Sequence, residues 1–366
     1  MNSENGLFAR MKVGDYEQVA LWYDKAVGLR AIIAIHDTTL GPALGGTRMY
    51  PYATEDDAII DALRLARAMT YKCAAAGLNL GGGKAVIIGD PAKDKSEGLF
   101  RSFGRFVHSL GGRYITTTDV GTSIEDLIYV REETPYVTGL PENMGGSGGT
   151  SRATAVGIVA AMEVCAREAL QASSLSGIRV AVQGVGKVGG YLVEFLTEQG
   201  AVVTIADVNE NRAKEVASQF PAKVVPTPEI HREECDIFSP NGMGGIINDE
   251  TIPSLRCSIV AGGANNQLAE EHHGDLLQDV GILYAPDYII NAGGVINCAE
   301  EMDGYNLHRA MDRVKGIGRV MERLIAYSKK HSVSVSRAAN HLAEERIRTI
   351  GQVHRTYVSK VGSKAI

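Results

Sequence analysis

Two lysines and one aspartate are the side chains of this sequence best suited to acid–base chemistry. Lys72 lies in "MTYKCAAAG", Lys84 follows three glycines in "LGGGKAVIIG", and Asp119 lies in "TTTDVG". If the two lysines face one cleft, each cation disfavours protonation of the other, and partial burial acts in the same direction. One lysine can then be neutral near neutral pH and act as a general base, while the other binds a carboxylate. The pattern predicts such a cleft, with Asp119 at its edge.

Each of these residues also has a simpler interpretation. A lysine at the end of a helix, such as Lys72, offsets the helix dipole. Lys84 is also typical of a solvated turn, and Asp119 of a turn or helix approach. The glycines favour the chemical interpretation, because they leave the amine of Lys84 uncrowded and open to a substrate. A phosphate-binding loop is excluded, since Leu78 and Ala85 stand where that motif needs glycine and Ser or Thr.

A second candidate site is a glycine-rich turn between a strand at 178–183 and a helix. In Gly184-x-Gly186-x-x-Gly189 the first glycine permits the turn, the second admits a pyrophosphate, and the third lets helix and strand pack closely. The helix N-terminus adds amide donors for the phosphates. Asp207 ends the next strand, where its carboxylate can accept from ribose hydroxyls and repel a 2′-phosphate, so the pattern favours NAD over NADP. The turn residues Val185, Lys187 and Val188 belong to the same predicted cofactor site; the alternative is a glycine-rich turn that holds no nucleotide.

Composition excludes several other classes of protein. With a net charge of −6 over 366 residues, the chain lacks the excess of positive charge that is typical of proteins that bind nucleic acid or an anionic membrane. The sequence shows neither a signal peptide nor a membrane helix. Five scattered cysteines indicate reduced thiols in a cytoplasmic protein. His272 and His273 are adjacent, and adjacent residues on a helix point apart, so the sequence predicts no metal site.

Hydrophobic periodicity predicts the elements that position these residues. Strands are expected at 29–37, 84–89 and 113–118, and helices at 54–72, 96–112, 123–134 and 153–170. The segment "MGGSGGTS" at 144–151 has the most flexible composition and predicts a domain boundary or hinge. Two amphipathic helices, at 305–330 and 335–350, are expected to pack on the first domain or on a neighbouring subunit.

Taken together, these stretches resemble the NAD-dependent amino-acid dehydrogenases of the glutamate, leucine, phenylalanine and valine group. The resemblance runs from about residue 16 to about residue 348 and is closest to leucine and phenylalanine dehydrogenases. It is most specific in "HDTTLGPALGGTRM", "MTYKCAAAGLNLGGGKAVIIGDP", "TDVGT", "ANNQL" and "YAPDYIINAGGVIN". It implies an α/β fold of two domains. A substrate-binding and oligomerisation domain at 1–147 is completed by C-terminal helices at about 331–366, and a Rossmann domain that binds NAD spans 148–330.

The resemblance also implies roles for individual residues. Lys84 looks like the catalytic lysine that activates water against an imine carbon, and Asp119 like the proton shuttle at the α-nitrogen. Lys72 looks like the residue that binds the substrate carboxylate, helped by Asn266. Thr154 and Asn265 are similar to residues at the nicotinamide end, while Gly45 and Gly46 let the substrate lie against backbone. The implied reaction converts an L-amino acid reversibly to its 2-oxo acid and ammonia, in a homo-oligomer that is an octamer or a dimer.

Two departures from the family pattern lie on the cofactor side. Asn241 and Gly242 replace the usual Cys-Ala, and Gly263 replaces the usual Ser. These substitutions concern nicotinamide contacts and cofactor affinity rather than the class of reaction.

Substrate signals are mixed. Leu40 and Val295 resemble the leucine enzymes, whereas "YKC", "GGGK" and "GGSGG" resemble the phenylalanine branch. Thr117 stands where leucine enzymes tend to have Ala and phenylalanine enzymes Gly, and its extra bulk should narrow the pocket. We therefore expect leucine, isoleucine or valine to be preferred. Phenylalanine or tryptophan is the alternative, and a non-catalytic NAD-binding sensor is the remaining one.

Overall fold

The structure is a computed structural model that describes residues 6–353; the part of the predicted C-terminal helices beyond residue 353 lies outside the described residues. The N-terminal unit consists of α1 (Leu7–Gly14), β1 (Gln18–Asp24), β2 (Leu29–Asp37), β3 (Ala43–Tyr50), α2 (Glu55–Ala75), β4 (Gly81–Ile88), α3 (Glu97–Ser109), β5 (Tyr114–Thr118) and α4 (Ile124–Arg131). All strands and helices predicted for this part of the chain are present.

The first sheet has the order β1-β2-β4-β3-β5, with β1, β2 and β4 antiparallel and β4, β3 and β5 parallel. Two of its strands, β1 and β3, were not predicted. Strand β4 begins at Gly81, so Lys84 lies inside a strand and not at its start. Helix α2 begins as predicted, because Thr54 and Asp57 form a reciprocal capping box.

The second unit carries a parallel sheet of six short strands. Its elements are α5 (Ser151–Leu170), β6 (Arg179–Gln183), α6 (Lys187–Glu198), β7 (Val202–Ala206), α7 (Glu210–Gln219), β8 (Ala222–Val224), β9 (Ile237–Pro240), β10 (Ile259–Val260), α8 (His273–Asp279), β11 (Leu283–Tyr284), α9 (Asp287–Ile290) and α10 (Gly293–Ala299). The order is β11-β10-β9-β6-β7-β8. Successive strands are added on one side of β6 up to β8 and on its other side from β9 onward, so the switch point lies between β6 and β9. Doubly wound sheets bind dinucleotides at the carboxyl ends of the strands at this point.

Within the described residues, three helices follow: α11 (Leu307–Lys315), α12 (Ile317–His331) and α13 (Val335–Val353). The single helix predicted over 305–330 is interrupted at Gly316, a residue type of low helix propensity. Helix α13 returns to the first unit, as expected of the C-terminal helices from about residue 331. Helix α12 packs on α5, where Arg167 pairs with Glu322 at 3.0 Å, whereas α13 packs on α2, and its Arg346 donates to the Leu78 carbonyl in the turn that follows α2, at 2.6 Å.

The glycine-rich segment between the two units is held in place by side chains of the second unit. One carboxylate oxygen of Glu301 accepts the N–H groups of Gly139 and Ser147, each at 2.8 Å, and Asn297 donates to the Ser147 carbonyl. Composition alone predicts a flexible segment; these contacts anchor its start. The division of the chain at residues 147 and 330 stays a prediction.

Residues 6–353 contain no helix with the length and hydrophobicity that a membrane span requires.

Candidate active site

A cavity of about 1410 Å³ lies between the two units and brings most of the predicted site residues together. Strands β3, β4 and β5 and helix α2 form one wall, and the second unit forms the other. The predicted residues that line this cavity are Gly46, Lys72, Lys84, Thr117, Asp119, Thr154, Val188, Asn265, Asn266 and Val295.

The centre of the site is an ion pair between Lys84 and Asp119. Lys84 is only 5 % exposed, and its Nζ donates to Asp119 Oδ2 at 2.5 Å. Burial lowers the pKa of Lys84, although the Asp119 carboxylate opposes the shift. For Asp119, burial acts to raise the pKa, but the cations of Lys84 and Arg48 outweigh it and hold the pKa below its usual value. The pair can therefore exchange a proton with a bound substrate.

Arg48, on β3, is a third member of this cluster that sequence reasoning missed. Its Nε donates to Asp119 Oδ2 at 3.0 Å, and its Nη1 donates to Asp61 at 2.8 Å. Burial acts to lower the pKa of Arg48, but the two carboxylates raise it overall. The guanidinium thus stays charged and disfavours a second positive charge on Lys84. The sequence did contain a signal for this residue, because Arg48 is a charged side chain within the largely apolar, strand-like segment 43–50.

Lys72, near the end of α2, faces the same cavity. It forms no salt bridge within the described residues 6–353, although burial, which lowers its pKa, is opposed by the charge of Asp287. Its Nζ lies 3.4 Å from Asn265 Oδ1 of the second unit. Burial lowers the pKa of Lys72, and the Lys84 charge acts in the same direction, as predicted from the sequence. For Lys84, however, the cation that lowers the pKa most is Arg48 and not Lys72. An amine without an acidic partner can bind a substrate carboxylate.

The three glycines before Lys84 serve close packing and do not open a path to its amine, so that part of the sequence interpretation was wrong. A Cβ on Gly82 would lie 2.1 Å from the Thr70 nitrogen, and one on Gly83 would lie 2.7 Å from the Tyr114 ring. Gly45, predicted to face the substrate, instead faces β4, since its Cβ would lie 1.8 Å from the Gly83 carbonyl oxygen. These glycines let α2 and β3 approach the strand that carries Lys84.

The loop that carries Asn265 and Asn266 is positioned by polar residues that sequence reasoning did not single out. Asn291 Nδ2 donates to Asn265 Oδ1 at 2.8 Å, and its buried Oδ1 has no partner in the described chain. The Asp287 carboxylate accepts the Gln267 N–H at 3.0 Å. Asn266 has a positive φ of 53°, which an asparagine tolerates better than most residues. The loop therefore holds two amide side chains against the cavity.

The glycine-rich turn after β6 has the geometry of a dinucleotide site. Gly184 has a φ of +89°, which suits the tight turn, and a Cβ on Gly189 would lie 2.0 Å from the Gly184 carbonyl oxygen. A Cβ on Gly186 would have no atom within 4 Å, so the backbone there is open to a ligand. Asp207 accepts the Val185 N–H at 2.9 Å and is 8 % exposed. Asp207 thus also holds the turn, a role that was not predicted; Lys187 is the first residue of α6.

The two departures from the family pattern contact each other. Asn241 Oδ1 accepts the Gly263 N–H at 2.7 Å, and a Cβ on Gly263 would lie 2.8 Å from that same oxygen. The absence of a side chain at position 263 therefore makes room for the asparagine.

The predicted substrate-pocket residues separate into two groups. Thr117 and Val295 line the cavity, together with Cys298, whose Sγ lies 3.8 Å from Thr117 Oγ1. Burial raises the pKa of Cys298 to about 11, so this thiol is neutral. Leu40 is not among the cavity-lining residues; it packs in an apolar cluster with Ala74 and Ala343, where α13 covers α2.

Comparisons with known proteins agree with this geometry. The model of the Glu/Leu/Phe/Val dehydrogenase dimerisation domain matches residues 18–136, and the glutamate/leucine/phenylalanine/valine dehydrogenase model matches residues 145–211 and 204–354. A leucine dehydrogenase of Geobacillus stearothermophilus is 53 % identical over 352 residues, which cover 96 % of either chain.

Two further relatives carry other substrate names. A phenylalanine dehydrogenase of Lysinibacillus sphaericus is 46 % identical, with 92 % of this chain and 90 % of the relative covered. The crystal structure of L-tryptophan dehydrogenase from Nostoc punctiforme matches with a TM-score of 0.82 and 42 % identity, covering 94 % of this chain and 99 % of that one. The chain belongs to the glutamate, leucine, phenylalanine and valine dehydrogenase family, and it is an amino-acid dehydrogenase.

Proposed function

We propose that this enzyme catalyses the NAD⁺-dependent, reversible oxidative deamination of a branched-chain L-amino acid, leucine above all, to its 2-oxo acid and ammonia. The observation that carries the proposal is the pair of buried Lys84 with partly exposed Asp119. The amine of Lys72 lies in the same cavity, and the dinucleotide turn lies on the facing unit. A family member 53 % identical is a leucine dehydrogenase, which supports an aliphatic substrate.

The residues of the second unit fit a nicotinamide dinucleotide. The open backbone at Gly186 and the first amides of α6 suit the pyrophosphate, and Asp207 suits the adenosine ribose. Thr154 and Asn265 lie in the cavity, where the nicotinamide end would reach the substrate. Bound NAD⁺ supplies the acceptor for the hydride that leaves the substrate Cα.

The first unit would supply binding and proton transfer. Lys72, with Asn266 opposite, would bind the α-carboxylate and fix the Cα toward the second unit. Asp119 would take a proton from the α-amino group, which must be neutral before oxidation. Lys84 would then take a proton from the water that attacks the imine carbon, which gives a carbinolamine. Asp119 would return a proton to the nitrogen, and the C–N bond would break as the hydroxyl proton passes to solvent, giving the 2-oxo acid and ammonia. Neutral Lys84 is favoured for this role by its burial and by the charge of Arg48.

The side-chain pocket supports a substrate of moderate size. Its wall combines the branched side chains of Thr117 and Val295 with the neutral thiol of Cys298. The Thr117 hydroxyl fills space that alanine or glycine would leave open. Thr117, Val295 and Cys298 carry no positive charge, which disfavours an acidic substrate side chain beside them.

We further propose a cytoplasmic homo-oligomer, a dimer or an octamer. The match to a dimerisation-domain model supports association through the N-terminal unit. Strand β1 lies at the edge of the first sheet and exposes Leu21 and Tyr23, at 62 % and 70 %. Edge strands with apolar side chains are surfaces that tend to pair with another chain.

The test is NADH formation at alkaline pH with NAD⁺ or NADP⁺ and single L-amino acids, namely leucine, isoleucine, valine, phenylalanine, tryptophan and glutamate. The proposal predicts the highest kcat/KM for a branched aliphatic substrate with NAD⁺. A higher value for phenylalanine or tryptophan would favour the aromatic alternative. Binding of NADH without turnover of any amino acid would favour the sensor.

A further inference from the structure

Asp249, His272 and His273 form a cluster outside the active site that the proposed reaction does not use. One ligand atom from each, Asp249 Oδ1 and a ring nitrogen of either histidine, lie within 4.8 Å of one another. The sequence predicts that adjacent histidines point apart, but their ring centroids are only 4.1 Å apart. The reason is that His272 precedes the first residue of α8 and so lies at the helix end.

The strongest sign of a ligand is the imidazole of His273. This residue is 2 % exposed, and its Nε2 is buried without a hydrogen-bond partner in the described chain. Its Nε2 faces Asp249 Oδ1 at 3.4 Å. A buried nitrogen acceptor or donor without a partner is costly, so it requires an explanation.

The distances suit a metal ion of the zinc type. Two ligand atoms that each lie about 2.1 Å from a tetrahedral ion are separated by about 3.4 Å. His273 Nε2 and Asp249 Oδ1 already have this separation, and His272 Nε2 lies 4.0 Å from the same oxygen. The three ligand atoms lie within 4.8 Å of one another. His272 and Asp249 are exposed, with side chains 50 % and 78 % accessible, so they can move closer to His273 around an ion.

Glu270 supplies the outer contacts that metal-binding histidines usually have. The Nδ1 of His273 lies 3.1 Å from the Glu270 carbonyl oxygen, and the Nδ1 of His272 lies 3.4 Å from the Glu270 carboxylate. When Nδ1 carries the proton, Nε2 of each ring is free to bind a cation. The Glu270 N–H also donates to His273 Nδ1 at 2.9 Å, and in that tautomer Nε2 carries its proton toward Asp249. Metal binding therefore requires His273 to lose the Nε2 proton.

The two segments that carry these ligands are already joined by main-chain contacts. Ile247 pairs with Leu268 in an isolated bridge, and the Ala269 N–H donates to the Ile247 carbonyl at 2.9 Å. The turn that presents Asp249 is closed by Asn248, whose side chain accepts from Glu250 and Thr251. We propose that Asp249, His272 and His273 supply three ligands of a site for a divalent ion of the zinc class, whose fourth position is left to solvent, and that the ion links this turn to the start of α8.

The test is calorimetric titration of the full-length, chelator-treated enzyme with Zn²⁺ alone. We expect one Zn²⁺ per chain, and at least about tenfold weaker binding in His272→Ala and in Asp249→Asn. Glu270→Gln should also weaken binding, whereas His308→Ala, an exposed histidine elsewhere, should leave it unchanged. These substitutions avoid buried His273, so the variants should fold.

A second readout separates this site from the cysteines. Zn²⁺ should raise the Tm of the wild-type enzyme and of His308→Ala, but not that of the Asp249→Asn/His272→Ala double variant. Failure of the wild type to bind Zn²⁺, or equal affinity in the wild type and the double variant, would overturn the proposal. Neither readout depends on dehydrogenase activity.

Discussion

The Nζ of Lys84 and the carboxylate of Asp119 meet at 2.5 Å on the floor of the cavity, and Arg48 donates to the same carboxylate oxygen. The Asp119 carboxylate, and to a lesser extent that of Asp61, stabilises the charge of Lys84, whereas the Arg48 cation disfavours it. Burial decides the balance, because the pKa of Lys84 is lowered overall. The arrangement places a lysine that can lose its proton beside an acid that can relay one.

The pH dependence of amino-acid oxidation should reveal this balance. Lys84 must be neutral to activate water, so kcat/KM should rise with pH through its pKa. Asp119→Asn removes the anion that raises this pKa, and its residual activity should rise at lower pH than in the wild type. Arg48→Gln removes a cation and should move the rise to higher pH. Full pH profiles of both variants provide the measurement; shifts in the same direction for the two variants would refute the assignment.

Asn241 and Gly263 should behave as a coupled pair. Gly263→Ser alone places a side chain 2.8 Å from Asn241 Oδ1 and close to Ile158, so it should destabilise the fold by about 1–3 kcal/mol. The double variant Asn241→Cys/Gly263→Ser should lose less than the sum of the single changes, with a coupling of at least about 0.5 kcal/mol.

Denaturant unfolding of the four proteins of this cycle measures that coupling. Gly242→Ala is the matched control, because a Cβ there would have no atom within 4 Å, and its stability should stay near that of the parent. Additive single changes would show that the contact between Asn241 and Gly263 carries no energetic coupling.

Substitutions at Thr117 and Leu40 should have different effects, the first on substrate preference and the second on stability. Thr117→Gly removes three heavy atoms (Cβ, Oγ1 and Cγ2) from the pocket wall. It should raise the phenylalanine-to-leucine ratio of kcat/KM at least about tenfold, since a single methylene contributes about 1–3 kcal/mol to discrimination. Leu40→Ala should leave that ratio unchanged and lower stability by about 2–5 kcal/mol, because Leu40 packs under α13. A changed ratio in Leu40→Ala would return Leu40 to the substrate pocket.

Local patterns were sufficient for much of the architecture. The capping box at Thr54 and Asp57 begins α2 where the sequence predicts it, and the turn at Gly184 and Gly186 has the predicted geometry. Each of these features depends on residues close together in the chain, so spacing and residue type specify it.

The misses share a physical cause, which is contact between residues far apart in the sequence. Gly82 packs against Thr70 of α2. The three consecutive glycines do not by themselves predict which residue packs against them. Asn241 and Gly263 are in contact but lie 22 residues apart in the sequence. From the sequence alone, they could be recognised only as two separate departures from the family pattern. Arg48 looks like an ordinary strand residue until β5 brings Asp119 beside it.

The most direct test of the mechanism is the rate of leucine oxidation by Lys84→Met, measured beside Lys93→Met as a control for loss of an exposed lysine. NADH binding and Tm of each variant establish that the fold and the cofactor site remain. We predict that Lys84→Met loses at least about 100-fold in kcat, the smallest usual contribution of a general base, while Lys93→Met keeps the parental rate. A folded, NADH-binding Lys84→Met with a rate within a few-fold of the parent would contradict the role assigned to Lys84.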